Sequence, residues 1–254
     1  MNNLKKIEMA VIFKEDGHIY ESLNENLEKD KIKWTSVTSF IGMFKPKFDR
    51  DGIAKKSSKN KRSKWYGMTP KEIIAAWDGE TERAIGLGNW YHNQREENIL
   101  EFRTIERDGV EVPIIRPIVD NAGIKIAPEQ KLKNGAYPEL FVYLKSLGLC
   151  GQADLVSIVD GVINILDYKT NKEIKEKGFT NWEGITSKMF NPVGKLQIQH
   201  VSFEKEGENK FGYPITRYND QDEPIIKEIK MYNLPYLKDE INSLVMWLKD
   251  NPQC

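Results

Sequence analysis

The chain has 254 residues, of which 39% are hydrophobic and 30% are charged, and its 38 basic side chains balance its 38 acidic ones. This composition is that of a globular protein and excludes a fibrous or largely disordered chain. Because the formal net charge is zero, binding of nucleic acid would depend on where the basic residues lie and not on their total. The two cysteines, Cys150 and Cys254, exclude a four-cysteine metal site and favour a reducing compartment.

The distribution of apolar residues predicts a cytoplasmic protein of a bacterial or phage-infected cell. The N-terminal residues do not resemble a signal or transit peptide. No apolar run reaches the roughly 18–20 residues that cross a bilayer. We therefore expect no membrane partner, and the sequence does not identify a protein partner.

The first elements are predicted to form an N-terminal extension. Met9–Phe13 and His18–Glu21 are β-like segments that flank a turn at Glu15-Asp16-Gly17. Ser36-Val37-Thr38 then begins a short helix that ends near Phe44. Together with the basic segment that follows, this extension comprises residues 1–78.

The basic segment is the predicted contact with DNA. Its lysines and arginine would bind phosphates, and its two adjacent aromatic residues would stack on unpaired bases. A solvated flexible loop is an equally good interpretation of the same pattern. The residues of the predicted DNA-binding segment are Lys55, Lys56, Lys59, Lys61, Arg62, Lys64, Trp65 and Tyr66.

The remaining elements predict an α/β core over residues 79–254, within a single domain of residues 1–254. Thr69-Pro70 has the pattern of an N-cap followed by proline at the first helical position, which predicts a helix through Trp77. A second helix is predicted from Glu80 to Leu100, and Asp108-Gly109 predicts a hairpin. Further strands are predicted at Glu139–Lys145, Gly151–Ile158, Val162–Lys169 and Lys195–Glu204, followed by a helix at Leu237–Leu248. Helices, then a sheet, then a helix indicate an α/β sandwich.

Two β-rich segments around Asp160-Gly161 carry the predicted chemistry, because Asp-Gly is the strongest short hairpin signal. A two-residue turn pairs Val159 with Val162, and the same register places Asp154 opposite Asp167. Cross-strand side chains lie about 5 Å apart, and like charges there are destabilising. Two opposed carboxylates among apolar residues therefore predict a divalent cation, Mg²⁺ or Mn²⁺, which takes oxygen ligands.

Lys169 lies two residues beyond Asp167, so both side chains leave the same face of the strand. Two carboxylates and an ammonium group at one strand end suit metal-assisted phosphodiester hydrolysis. An isolated Asp-x-Lys is more often a solvated salt bridge. The opposed Asp154 and the flanking apolar runs favour catalysis, so Asp154, Asp167 and Lys169 are the predicted catalytic residues.

At these positions the sequence resembles the PD-(D/E)XK nuclease superfamily, in particular its RecB-like and phage exonuclease branch. The motifs that match are Gly151-x-x-Asp154, Asp167-x-Lys169-Thr170, Gly88-x-x-x-His92-x-x-x-Glu96 on a helix, and Glu139 at the start of a strand. Ser36-Val37-Thr38 and Trp65–Trp77 also resemble segments of phage and mitochondrial exonucleases. The similarity extends from Ser36 to Lys249.

The resemblance implies a restriction-endonuclease-like fold, in which helices flank a central mixed β-sheet with an N-terminal helical and β extension. It also implies that His92, Asp154 and Asp167 bind the metal ion and that Lys169 is catalytic. Glu139 and Glu96 are expected beside these ligands, or at a second metal ion. Gly88, His92 and Glu96 recur every four residues and so share one helix face.

One departure from that branch concerns the positioning of DNA. In RecB-like nucleases a helix with a Gln-x-x-x-Tyr motif follows Asp-x-Lys. Here Lys195–Phe203 alternates like a strand, and Gln199-x-x-x-Phe203 matches the motif only in part. The interval from Thr170 to Gly194 is short for an additional helix.

Three functions are compatible with the sequence. The helical His92 motif favours an exonuclease acting on DNA ends or single strands in replication, repair or recombination, because simple restriction enzymes usually lack it. A restriction-type endonuclease is the second. A catalytically weak DNA-binding protein that keeps the nuclease fold is the third, and the missing Gln-x-x-x-Tyr helix favours it.

Overall fold

The computed structural model describes residues 9–14, 19–24, 33–44, 47–119, 125–126, 132–174, 196–234 and 238–251. Within these residues the fold is mixed α/β, with a central mixed β-sheet flanked by helices, as the sequence predicts. The helices are α1 (Val37–Gly42), α2 (Arg50–Lys59), α3 (Pro70–Leu100) and α4 (Lys238–Asp250). The strands are β1 (Met9–Lys14), β2 (Ile19–Asn24), β3 (Thr35–Ser36), β4 (Thr104–Arg107), β5 (Val110–Pro113), β6 (Ile118–Val119), β7 (Lys125–Ile126), β8 (Gly135–Leu144), β9 (Leu149–Val159), β10 (Val162–Lys169), β11 (Leu196–Phe203), β12 (Lys205–Glu208), β13 (Pro214–Thr216) and β14 (Ile226–Leu234).

The predicted hairpins and terminal elements are confirmed where the structure describes them. Strands β1 and β2 pair antiparallel, although the turn between them lies outside the described residues. Strands β4 and β5 form the hairpin around Asp108-Gly109. Ser36 caps α1 by accepting a hydrogen bond from the Ser39 N–H, and α4 occupies the predicted C-terminal position.

Three strands pair with different parts of β9 in the central sheet. Strand β10 pairs antiparallel with β9 from Val162–Val159 to Leu166–Leu155, which confirms the predicted register up to that point. Strand β3 pairs in parallel with β9 only at Leu149 and Cys150, and β8 pairs along the other edge of β9. Asp154 therefore lies just beyond the last β9–β10 pair, where the two strands part.

The rest of the sheet extends from β10 through β11 to β14. Strand β11 pairs in parallel with β10 and antiparallel with β14, so the predicted strand at Lys195–Glu204 is confirmed. Helix α2 and the strands β12, β13 and β14 were not anticipated from the sequence.

Residues 70–100 form one helix, so the prediction of two helices divided near residue 78 is wrong. A capping box begins α3, in which Thr69 and Glu72 each accept the other's backbone N–H. Gly79 does not interrupt the helix; an exposed glycine costs about 1 kcal/mol relative to alanine, and the helix is buried on both sides of it, at Ile73 and Leu87. The predicted boundary between residues 78 and 79 therefore falls inside α3.

Helix α3 is fixed across the sheet by a cluster of large side chains. Its members are Leu87 and Tyr91 from α3, Tyr168 from β10, and Val201 and Phe203 from β11. The cluster also contains a polar contact, since the Gln199 amide donates to the Tyr91 hydroxyl at 2.9 Å. This packing holds the part of α3 that follows Tyr91 against the end of β10.

None of the helices in the described parts of the chain is long and apolar enough to span a membrane.

Candidate functional site

His92 lies on α3 directly after the buried Tyr91. Its Nδ1 is 3.5 Å from Asp154 Oδ1 and 4.0 Å from Glu139 Oε1, and its Nε2 is 3.2 Å from the Tyr168 carbonyl oxygen. Because a carbonyl only accepts hydrogen bonds, Nε2 carries a proton whether the ring is neutral or charged. In the neutral ring, Nδ1 has a lone pair beside two carboxylates, as in a metal-binding histidine whose other nitrogen is held by a backbone carbonyl.

Asp154 is held where β9 and β10 separate, with 11% of its side chain exposed. Its Oδ2 accepts a hydrogen bond from the Tyr168 backbone N–H. Burial raises the pKa of Asp154, and the nearby Asp167 raises it further, while the Tyr168 N–H, His92 and Lys169 lower it. The net increase in pKa means that the ionised carboxylate is destabilised here and would gain from a bound cation.

Glu139 interrupts β8 at the position that faces Asp154. The neighbouring pairs are Pro138–Leu155 and Leu140–Ala153, so the β8 register brings Glu139 opposite Asp154. Its φ is +48°, in the left-handed region that non-glycine residues rarely adopt. Gln152 donates its amide to Glu139 Oε2 at 2.7 Å and thereby fixes the carboxylate.

These three residues form a group that could hold a metal ion. One ligand atom from each of His92, Glu139 and Asp154 lies within 4.8 Å of the other two. The group differs from the predicted set of His92, Asp154 and Asp167, because Glu139 takes the place of Asp167. Glu96 is half-buried one turn further along α3 and is not part of the group.

Asp167 is instead bound by Lys169 at the end of β10. The Lys169 ammonium nitrogen is 2.6 Å from Asp167 Oδ2 and 3.3 Å from the Tyr168 carbonyl oxygen. The two side chains share a strand face, as the spacing predicts, and both remain more than one-third exposed. Asp167 is still close enough to raise the pKa of Asp154, so this ion pair adjoins the group of three.

The predicted DNA-binding segment is divided by the fold. Lys55, Lys56 and Lys59 are exposed on α2, and Lys61, Arg62 and Lys64 are exposed in the turns after it. Trp65 is only 7% exposed and packs with Ala54, Ile73 and Ala76. The prediction that Trp65 stacks on bases is therefore corrected, because its ring is packed into this cluster. Tyr66 is 52% exposed and keeps that role as a prediction.

Sequence reasoning missed two residues that support the site. Gln152 fixes Glu139, but nothing in the sequence distinguishes it from an ordinary strand glutamine. His200 lies beside Lys169 in the β10–β11 register, and its Nε2 is 2.6 Å from the Asn171 carbonyl oxygen. His200 thus holds the chain just after Lys169. The alternation of Lys195–Phe203 indicated a strand at this position, and it was the one sequence feature that pointed to His200.

Replacing Glu139 with glycine is expected to stabilise the metal-free protein while weakening its binding of metal. A non-glycine residue in the left-handed region costs about 1–3 kcal/mol, and glycine avoids this cost at the expense of about 0.5–1 kcal/mol of chain entropy. Thermal unfolding in a chelator and calorimetric titration with Mn²⁺ would measure the two effects.

The matched control is Glu139→Gln, which keeps the backbone strain and an acceptor for Gln152 but removes the charge. We expect Glu139→Gly to be the more stable of the two variants by about 1 kcal/mol. Equal stability of the two variants would mean that the positive φ of Glu139 stores no strain.

No family model and no curated protein matches the sequence. Among solved structures, the one described as "Crystal structure of SSO0001" is similar over 89% of this chain and 77% of its own, with 12% sequence identity and a TM-score of 0.30.

Proposed function

We propose that the protein is a metal-dependent deoxyribonuclease that hydrolyses phosphodiester bonds at DNA ends or on single strands, on a restriction-endonuclease-like fold. The observation that carries the proposal is the meeting of His92, Glu139 and Asp154 beside the Asp167–Lys169 ion pair. Their positions on α3, β8, β9 and β10 follow the order of the motifs that resemble RecB-like nucleases.

The donor atoms of this group fit a divalent ion that accepts oxygen ligands. Glu139 and Asp154 offer carboxylate oxygens and His92 offers one imidazole nitrogen, which suits Mn²⁺ or Mg²⁺ better than a thiolate-binding metal. The increased pKa of Asp154 is consistent with a site completed by a cation. When bound, the ion supplies Lewis-acid chemistry at the phosphate and at the attacking water.

Lys169 supplies the positive charge that a phosphodiester requires as it is attacked. Its side chain is 40% exposed, and its ammonium group is oriented by Asp167 Oδ2 and the Tyr168 carbonyl, so the charge is held in place and accessible to substrate. A fixed donor of this kind stabilises negative charge that develops on the phosphoryl oxygens. Asp167 positions Lys169 and adds negative potential beside the metal-binding group.

A second candidate is a DNA-binding protein with little catalytic activity. The observation in its favour is that residues 196–203 form strand β11, where RecB-like nucleases are expected to have the Gln-x-x-x-Tyr helix that positions DNA. A restriction-type endonuclease is the third possibility, and the presence of His92 in the metal-binding group argues against it.

These functions are separated by one comparison of substrates. End-labelled linear DNA and covalently closed circular DNA are incubated with the protein in Mg²⁺, in Mn²⁺ and in a chelator. The proposal predicts metal-dependent loss of the linear DNA alone. Cleavage of both substrates would identify an endonuclease, and a shift of DNA in gels without loss of either would identify the binding protein.

A further inference from the structure

A pocket of about 450 Å³ lies between the segment that precedes α3 and the turn of the β12–β13 hairpin. Lys64, Trp65 and Met68 line it on one side, and Lys210, Phe211 and Gly212 line it on the other. Its volume falls within the range of about 300–1,000 Å³ that is typical of small-ligand sites. The pocket therefore has room for one nucleotide-sized group.

Lys64 joins the two sides of the pocket. Its ammonium nitrogen donates to the Phe211 carbonyl oxygen at 2.8 Å and lies 4.6 Å from the Trp65 ring centroid and 4.4 Å from that of Tyr213. The Phe211 ring also packs against Trp65, at a centroid distance of 5.8 Å. These contacts hold the hairpin turn in place before any ligand binds.

The turn itself is ordered by one asparagine. Asn209 Oδ1 accepts hydrogen bonds from the backbone N–H groups of Phe211 and Tyr213, and Gly212 adopts a positive φ of 71° that a larger residue would resist. A turn that is organised in this way loses little conformational entropy when a ligand enters the pocket.

Lys210 gives the pocket a second, exposed ammonium group. It lies 4.9 Å from the Phe211 ring centroid, so cation and aromatic surface are presented together. Lys210 also lowers the pKa of Glu72, although the hydrogen bonds from Thr69 lower it more. Glu72 is engaged in the capping box of α3, and Lys210 is exposed.

We propose that this pocket binds one nucleotide of single-stranded DNA, with an unpaired base against Phe211 and the adjoining phosphate between Lys64 and Lys210. Stacking of bases on aromatic side chains beside lysines is how proteins bind single strands without reading their sequence. The inference rests on the proposed function only in taking DNA as the ligand.

The pocket is a holding site remote from the metal-binding group. At a rise of about 1.5 Å per residue, His92 lies about 33 Å along α3 from Pro70, next to the pocket. A phosphate in the pocket is therefore not the one that is cleaved. The pocket would therefore hold a part of the strand that lies several nucleotides away from the active site.

The test measures binding of a labelled thymidine oligonucleotide of about 16 nucleotides. This length is near the upper end of the number of nucleotides that one single-strand-binding domain covers. Fluorescence anisotropy in a chelator, over a series of salt concentrations, measures affinity without cleavage. Lys210→Glu is expected to weaken binding about tenfold and to reduce the salt slope by about 0.7. Lys205→Glu is the matched control, because it makes the same change on exposed β12 outside the pocket and should alter affinity less than about twofold.

A second variant separates stacking from charge. Phe211→Leu keeps an apolar side chain against Trp65, and we expect it to weaken single-strand binding about fivefold or more while leaving binding of duplex DNA unchanged. The proposal would be overturned if Lys205→Glu and Lys210→Glu lost the same amount of affinity for single strands. It would also be overturned if Phe211→Leu lost the same amount of affinity for single strands and for duplex DNA.

The outcome is independent of the test for cleavage. If the protein cleaves DNA but Lys210→Glu leaves its affinity for single strands unchanged, the proposed function stands and the proposed nucleotide site is excluded. If the protein does not cleave DNA but its binding depends on Lys210 and Phe211, the nucleotide site stands and the proposed nuclease activity is excluded.

Discussion

Replacement of Lys169 with alanine is expected to reduce DNA cleavage roughly 10²–10³-fold, the usual cost of removing one fixed donor that stabilises transition-state charge. The ammonium group is held by Asp167 and the Tyr168 carbonyl beside the group of three residues that could hold a metal ion. Alanine removes it without disturbing a buried contact. Asp167 is 36% exposed, so water can hydrate its carboxylate in the variant. The fold should therefore remain intact.

Initial rates on end-labelled linear DNA at saturating Mn²⁺ would measure this effect. The matched control is Lys172→Ala, which removes an exposed lysine from the segment that follows β10 and should retain the wild-type rate. Retention of activity within about threefold by Lys169→Ala would exclude the proposed role, since loss of a charge-stabilising donor costs far more.

Replacement of Asp154 with asparagine is expected to weaken Mn²⁺ binding roughly 100-fold or more, because the loss of even an outer-shell partner costs about 10–100-fold. The same change should stabilise the metal-free protein by on the order of 1 kcal/mol, which corresponds to about 2–4 °C in Tm. Asparagine keeps an oxygen that accepts the Tyr168 N–H and removes the charge that burial disfavours. A stabilising substitution that abolishes metal binding is the signature of a strained functional carboxylate.

The gain in stability should depend on pH in a defined direction. Burial raises the pKa of Asp154 in the folded protein above its value in the unfolded chain. The protonated carboxyl group therefore favours the folded state. This contribution to stability is fully present below the unfolded pKa and is lost as pH rises through the folded pKa. Asp154→Asn should therefore match the wild type below about pH 4, the ordinary range for aspartate, and exceed it at neutral pH.

Thermal unfolding in a chelator at several pH values, with Mn²⁺ calorimetry at neutral pH, would measure both effects. Asp160→Asn is the control, because it makes the same substitution at an exposed turn position with φ of +50°, where asparagine is tolerated. A decrease in the Tm of metal-free Asp154→Asn would count against the strained carboxylate.

Local sequence signals predicted much of the fold. The Asp160-Gly161 turn set the β9–β10 register correctly as far as Leu166–Leu155, because an antiparallel register follows from turn length and residue type. Thr69-Pro70 marked the start of α3. The elements from β12 to β14 were missed, since Lys205–Glu208 has no apolar alternation and is ordered by its pairing with β13.

The sequence indicated which residues lie at the candidate site but not which of them contact one another. Glu139 was expected beside the ligands, and the structure places it among the group that could hold a metal. The β8–β9 register puts Glu139 opposite Asp154, and its positive φ is a feature that no local pattern at a glutamate indicates. Asp167 was expected to bind the metal ion because of the motif resemblance. In the structure its carboxylate contacts the Lys169 ammonium group, and its role as a ligand stays a prediction.

The burial of Trp65 shows a further limit of sequence reasoning. A tryptophan that ends a basic segment is compatible with a base platform or with a core residue, and only tertiary contacts decide between them. The contacts that bury Trp65 include Phe211 and Tyr213 of the β12–β13 hairpin, which is distant in sequence. The same hairpin forms the pocket with Lys210, so neither feature was accessible from residues 55–66 alone.

The most direct test of the central claim is the loss of end-labelled linear DNA in Mn²⁺, compared for the wild type, the wild type in a chelator, and Asp154→Asn. We predict that only the wild type with Mn²⁺ degrades the DNA, because the group of His92, Glu139 and Asp154 must hold the metal ion for hydrolysis. Degradation at the same rate in the chelator or by Asp154→Asn would contradict the assignment of this group as the metal centre of a nuclease.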